Sequence, residues 1–375
     1  MIPRHLKAHI EKRMFKGRAI IVLGPRQSGK TTLITDLLKK YPDQTYSFNG
    51  DEPDIRDLFH NATSTKLKSI IGNKSIVFID EAQRIPEIGL CIKLLVDNYP
   101  RIQVIATGSS SLELSDSIRE PLTGRKYELY LFPLAYQEML NHIGRVQEDR
   151  LLSHRLIFGS YPEVVSSPGE EIELVRLLAD SYLFKDLFNL EQIKKPPLLE
   201  KIIRALALQV GSEVSYNEIA QLVSADRQTV EKYIGLMEKA YIVHRLPALK
   251  RNVRNEIKHG RKIYFWDNGI LNAMIGNFNP ISSRTDTGAL WENFVISERR
   301  KYLSNNQIYA RPYFWRTTQQ QEIDYIEELN AEFAAYEIKW NPSKKAFFSK
   351  SFVENYPISS TATINPDNLG DWIGN

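Results

Sequence analysis

The chain has 375 residues, 42% hydrophobic and 25% charged, which is the composition of an ordinary globular protein with room for about two or three domains. Its net charge of +4 is mild, so a nucleic-acid role has to rest on local patches rather than on bulk charge. The single cysteine, Cys91, lies in an apolar stretch; it excludes a disulfide framework and a cysteine zinc site and suits a reducing, cytoplasmic setting. No apolar run approaches the roughly 20 residues of a membrane span, so no membrane partner is expected.

Residues 1–15 mix charges with single apolar residues and predict an amphipathic first helix. Residues 19–23 form a short β-branched run, as in a buried parallel strand. Behind it comes Gly24-Pro25-Arg26-Gln27-Ser28-Gly29-Lys30-Thr31, a G-x-x-x-x-G-K-T loop, and then a segment of helical spacing that starts at Thr32. Strand, glycine loop and helix is the context in which backbone N–H groups and the helix dipole cradle the phosphates of ATP. Lys30 would reach the β/γ-phosphates, and Thr31 would offer its hydroxyl to Mg2+.

Residues 75–79 predict a second strand, ending in Asp80 and Glu81. Asp80 would hold the metal through its shell and Glu81 would polarise the attacking water. A third apolar run, 102–106, ends in Thr107-Gly108-Ser109; Thr107 or Ser109 would orient water or touch the γ-phosphate, with plain turn chemistry as the alternative. Arg119 and Arg125 are candidate arginine fingers, in cis or from a neighbour in a homo-oligomer, or else solvated surface residues. After Arg125, residues 126–131 alternate like a strand.

Taken together, the phosphate loop, Phe78-Ile79-Asp80-Glu81-Ala82-Gln83, Thr107-Gly108-Ser109-Ser110, Leu122-Thr123-Gly124-Arg125, Leu131-Phe132-Pro133-Leu134 and Gly159-Ser160-Tyr161-Pro162-Glu163 resemble the archaeal and bacterial AAA+-like ATPases with an AAA_14 core and a DUF4143 tail. Ser160 stands where that family commonly has a second glycine. The expected fold class is α/β: a P-loop NTPase core with a parallel sheet (1–145), a helical lid (146–195), a winged helix-turn-helix (196–255) and a restriction-endonuclease-like α/β domain (256–375).

In the middle of the chain, Ser215 can cap a short helix and Asp226 a second one starting at Arg227. Read as a DNA-binding helix-turn-helix, this places Arg227, Gln228 and Thr229 where base contacts are made. Arg245, Lys250, Arg251, Arg254, Lys258, Arg261 and Lys262 would form a basic wing on the phosphates. The alternative is a packing module with a solvated charged face.

All five tryptophans fall after residue 265, a composition shift that marks a further domain. Residues 322–326 and 334–340 alternate like strands about a polar turn near Asn330-Ala331, and a symmetric hairpin there sets Asp324 opposite Glu337, with Lys339 on the same face. Opposed carboxylates need a counter-charge, which Lys339 and a Mg2+ or Mn2+ ion would supply. With a glutamate from the helix at 288–298, this D…E-x-K arrangement resembles the PD-(D/E)xK nucleases. The resemblance implies a metal site of Asp324, Glu337 and Glu292 (or Glu298), with Lys339 in catalysis. A degenerate nuclease-like tail serving docking, behind an ATP-gated switch or DNA-binding regulator, is the rival reading.

Overall fold

The computed structural model describes residues 2–108, 121–183, 195–249, 260–317, 319–344 and 346–374. Helix α1 (Leu6–Glu11) precedes β1 (Ala19–Leu23), in which every residue is buried. Ala19, Ile21 and Leu23 enter one core while Ile20 and Val22 enter another, so the strand is covered on both faces, which explains its unbroken apolar run. Helix α2 (Lys30–Leu38), β2 (Thr45–Asn49), α3 (Pro53–Phe59), α4 (Ser64–Ile71), β3 (Ile76–Asp80), α5 (Ile88–Asn98), β4 (Gln103–Gly108) and β5 (Lys126–Tyr130) complete this layer. The strands run parallel in the order β2-β3-β4-β1-β5. Helices α1 and α2 pack on one face, and α4 and α5 on the other. The strand order reverses beside β1, which opens a crevice at the carboxyl ends of the strands.

The N-terminal arm is fastened to residues far along the chain. His9 Nε2 donates to the Asn305 carbonyl at 2.7 Å, and the Arg13 guanidinium bonds the Gln307 amide oxygen.

Beyond the sheet come α6 (Tyr136–Ile143), α7 (Arg145–Phe158), α8 (Pro162–Ser166), α9 (Glu171–Leu177) and α10 (Pro196–Leu208). They are followed by α11 (Tyr216–Val223), α12 (Arg227–Lys239) and an antiparallel ribbon of β6 (Val243–Pro247) and β7 (Arg261–Phe265). Ser215 Oγ accepts from Glu218 N at 3.4 Å and Asp226 Oδ1 from Thr229 N at 2.7 Å, so both helices start on side-chain caps. Pro247 ends β6 opposite Arg261. Helices α13 (Asn268–Ile275) and α14 (Thr287–Asn305) lead into β8 (Arg311–Arg316), β9 (Glu322–Leu329), β10 (Glu332–Ile338), α15 (Lys350–Asn355), β11 (Ile358–Ile364) and α16 (Leu369–Ile373). The second sheet has the order β11-β10-β9-β8 and is mixed, with only β10–β11 parallel.

One buried cluster runs from Tyr136 to Ile373 and includes Leu156, Ile202, Ile234, Phe265, Trp291 and Tyr325. The segments expected as a lid, a helix-turn-helix and a C-terminal domain therefore share a core that runs across the expected boundaries at 196 and 256. Trp266 stacks on Phe132 with ring centroids 4.1 Å apart and joins the sheet's own core.

Candidate functional site

The crevice is built by the ends of three neighbouring strands. After β1, Gly24 takes φ 156°, and a Cβ there would lie 2.0 Å from the Leu131 carbonyl oxygen, so the loop turns flush against the strand beside it. Gly29 (φ 91°) starts α2. Lys30 is 5% exposed; its Nζ spans the loop to the carbonyls of Gly24 (3.0 Å) and Pro25 (2.8 Å). Thr31 Oγ1 donates to Asp80 Oδ2 at 2.8 Å, and Thr107 Oγ1 donates to Asp80 Oδ1. Asp80 is thus held by two hydroxyls, one from the loop helix and one from β4. Ser109 and Arg119 lie outside the described residues.

Glu81 adopts φ 48° and ψ 42°, and Gln83 Nε2 donates to its Oε2 at 2.6 Å. Gly50 approaches so closely that a Cβ would stand 2.4 Å from the Glu81 carbonyl oxygen, which locks this corner. Arg26, Gln27, Gly29, Lys30, Thr31, Thr32, Asp51 and Glu81 line an open cleft of about 380 Å³. A lysine, backbone N–H groups and hydroxyls can donate there and carboxylates can ligate a cation, a set that fits a polyphosphate with a hard divalent cation at Thr31 and Asp80.

Arg125 is corrected by the fold. Its carbonyl accepts from Ala19 N, at the start of β1, while the phosphate loop follows the other end of that strand. Five residues of strand, roughly 16 Å, separate the two. Its guanidinium is paired with Asp97 at 2.6 Å, so it is no cis finger.

Two features of this site were not read from the sequence. Arg4, whose side chain is 8% exposed, pairs with Glu138 at 3.0 Å and donates to the carbonyls of Ser28 (2.8 Å) and Phe132 (2.6 Å), bracing the phosphate loop from behind. The Gly159 turn is also clamped: Asp267 accepts from Ser160 N at 2.7 Å, Ser160 O accepts from Leu134 N at 2.8 Å, and Pro162 reaches Gly29. Ser160 departs from the common glycine at no cost, because the positive φ (74°) belongs to Gly159.

In the helix-turn-helix, Arg227 and Gln228 are exposed and Thr229 is partly buried. Lys250, Arg251, Arg254 and Lys258 lie outside the described residues. Arg245 is paired with Glu238 at 2.9 Å. Lys262 does not belong to a basic wing at all: it is 1% exposed, with Nζ 3.1 Å from Glu292 and 2.7 Å from Glu322.

The C-terminal cluster has the register expected from the hairpin. Tyr325 pairs with Tyr336, and Asp324 Oδ2 accepts from Ile338 N at 2.8 Å. Lys339 Nζ lies 3.1 Å from Asp324 and 2.7 Å from Glu337. Burial, then the Asp324 charge, pushes the Glu337 carboxyl up to about 7. Glu292 is also raised, first by burial, while Lys262 opposes the shift; its Oε1 further accepts from Tyr264 Oη at 2.6 Å. Against burial, Glu292 and Glu322 raise the Lys262 ammonium.

The expected metal set does not fit this arrangement. Glu292 is committed to Lys262 and Tyr264, and among the described residues no three His, Cys, Asp or Glu side chains gather as metal ligands. Lys262 supplies the counter-charge assigned to a cation. Period two along β7 sets Lys262 and Tyr264 on one face, the signal that could have revealed this. Glu298 turns elsewhere, accepting from Tyr136 N at 2.6 Å and pairing with Lys301 at 2.7 Å.

A pH dependence follows. Because the Glu337 carboxyl is raised in the folded state, its stabilising proton is fully present below pH 4.5 and is lost as pH rises towards about 7. Urea unfolding of the wild type is expected to lose stability across that window, and Glu337→Gln to flatten that part of the slope; parallel slopes would refute the assignment.

Residues 16–140 match AAA_14, an AAA domain; residues 149–280 match DUF8612 and residues 287–371 match DUF4143, both domains of unknown function. An uncharacterized protein of Mycobacterium tuberculosis is 26% identical over 340 residues, covering 90% of this chain and 73% of the relative. One of Methanocaldococcus jannaschii is 22% identical over 340 residues, covering 84% and 74%. A Walker-type ATPase of Pyrococcus abyssi superposes with a TM-score of 0.50 at 14% identity, over 73% of this chain and 96% of that one. The N-terminal layer thus matches an AAA domain, and its parallel sheet core resembles that of P-loop ATPases. Among the described residues no helix is long and apolar enough to cross a membrane.

Proposed function

We propose that this protein hydrolyses ATP at the β1–α2 crevice and uses the nucleotide state to control a DNA-directed output from its helix-turn-helix. The observation that carries the reading is the triad Thr31–Asp80–Thr107 beside the buried Lys30, with Glu81 at the cleft rim. The loop N–H groups and Lys30 hold the β- and γ-phosphates. Thr31 and Asp80 would hold Mg2+, which would neutralise charge on the phosphates when bound. Glu81 orients a water towards the γ-phosphorus and accepts its proton as the bond to the leaving ADP oxygen breaks. Arg26, on the loop itself, lines the cleft where charge develops. A finger from a neighbouring copy would make the active form a homo-oligomer.

On the DNA side, exposed Arg227 and Gln228, with Thr229, lead α12, the position from which such helices read a groove. The α11–α12 pair with the β6–β7 ribbon is read here as a winged helix. For the C-terminal sheet, the buried Lys262 beside Glu292 favours the silent, docking form of a PD-(D/E)xK-like domain over an active nuclease.

The test is phosphate release from ATP by the full chain, with and without Mg2+ and duplex DNA, alongside DNA cleavage assays in Mg2+ or Mn2+. Cation-dependent release above a protein-free blank is expected, with intact DNA. No release in any condition overturns the ATPase reading. Cleavage that vanishes in Lys339→Ala overturns the silent-tail reading and restores the nuclease.

A further inference from the structure

A second polar cleft, of about 290 Å³, opens at the foot of the helix-turn-helix, where Glu213, Ser215, Tyr216, Arg227 and Arg261 are among its lining residues. Arg261 begins β7, and its guanidinium carbon stands 4.3 Å from the Tyr216 ring centroid. Stacking fixes the plane of the guanidinium and leaves the N–H groups at its rim free to donate. Arg227 begins α12 on the opposite side of the turn and is exposed. Among the described residues no carboxylate lies within ion-pair distance of either arginine, although nineteen acids elsewhere among them have such a partner. Glu238, whose charge reaches Arg261, is itself occupied by Arg245 at 2.9 Å. The Tyr216 hydroxyl is buried without a hydrogen-bond partner, on a residue 5% exposed.

Two unpaired cationic forks lining one polar cleft, one of them held by an aromatic face, suit a tetrahedral oxyanion. We propose that this cleft binds a backbone phosphate of a nucleic acid strand, with Arg227 and Arg261 as its donors. The proposal rests on the DNA reading above and adds the anchor that reading lacked. A phosphate gripped beside the first turn of α12 fixes the register in which Gln228 and Thr229 meet the bases. Glu213 is the acid in the lining and weakens the grip, which tunes the site towards release.

The experiment is fluorescence anisotropy of a labelled random-sequence duplex with the full chain over a salt series. Arg227→Gln and Arg261→Gln are each expected to weaken binding about 3–10-fold and to lower the slope of log K against log salt by about 1. Arg261→Lys, which keeps the charge, is expected to restore most of the slope, and Glu213→Gln to tighten binding about twofold. Arg101→Gln, an exposed charge on the ATPase layer, is expected to change nothing. Wild type that binds duplex while Arg261→Gln matches it in affinity and salt slope overturns this proposal alone. Wild type that binds no duplex at low salt overturns the DNA reading and the proposal with it. If inorganic phosphate binds the cleft and duplex fails to displace it, the ligand is a free anion and the nucleic-acid assignment falls.

Discussion

Glu81→Gln is expected to slow ATP turnover by about 10²–10⁴-fold while ATP affinity stays within about threefold. The expectation comes from how the carboxylate is held. Glu81 sits in a left-handed backbone conformation, locked by the close approach of Gly50, and its Oε2 accepts from Gln83 Nε2. Glutamine fills the same space but cannot take a proton from water, so the chemical step suffers and binding does not. Lys30→Ala should behave differently, because its ammonium spans the loop at the Gly24 and Pro25 carbonyls, where the proposed site would take the phosphates, and both affinity and turnover should fall. Titration with a fluorescent ATP analogue and single-turnover hydrolysis separate the two effects. Glu81→Gln at the wild-type rate would remove Glu81 from the chemistry, and an equal loss of affinity would make its role structural.

Lys301→Met is expected to cost about 3–5 kcal/mol of stability at neutral pH, the largest effect of any single change considered. Lys301 is 1% exposed and Glu298 3%, with 2.7 Å between charged atoms. Burial raises the Glu298 carboxyl, and Lys301 is the charge that opposes the shift. Without Lys301 a carboxylate remains in the core, where it also accepts from Tyr136 N. The sign with pH follows from linkage. A carboxyl raised further in the folded state loses stability as pH rises through that raised value, so the variant should approach wild type in acid and fall away towards neutrality. Urea unfolding at several pH values measures this, and Glu298→Gln/Lys301→Met should recover most of the loss. A pH-independent difference below about 1 kcal/mol would show that the pair is not what holds α14 to the start of α6.

The parts that were legible in the sequence are those whose signal is local. The glycine loop, the strand ending in Asp80, the caps at Ser215 and Asp226 and the Asp324–Glu337 register all follow from periodicity or from spacing within one hairpin. The missed residues act across distance: Arg4 meets Glu138 over 134 positions, and Ser160 meets Asp267 over 107. No window of sequence contains both partners. Lys262 misled for another reason, because a lysine among arginines reads as a surface charge, and its burial came only with Glu292 and Glu322 packed against it. Arg125 could have been placed from the sequence: a residue just before a parallel strand lies at the end away from the ligand crevice. The core shared by the segments after the sheet was not legible, since loops and prolines mark where the chain turns and say nothing of which helices then pack together.

The fastening of the N-terminal arm sets a schedule for synthesis. The partners His9 and Asn305 are 296 residues apart, and a ribosome adding about 5–20 residues per second needs on the order of 15–60 s to cover that stretch. The parallel sheet can assemble well before then, with α1 packed on it and Arg4 bonded to Ser28, Phe132 and Glu138, while His9 and Arg13 still lack their distant partners. Each newly made molecule therefore passes through an interval with its N-terminal layer formed and its loop braced by Arg4, and the outer side of the arm is pinned only when the last quarter of the chain arrives.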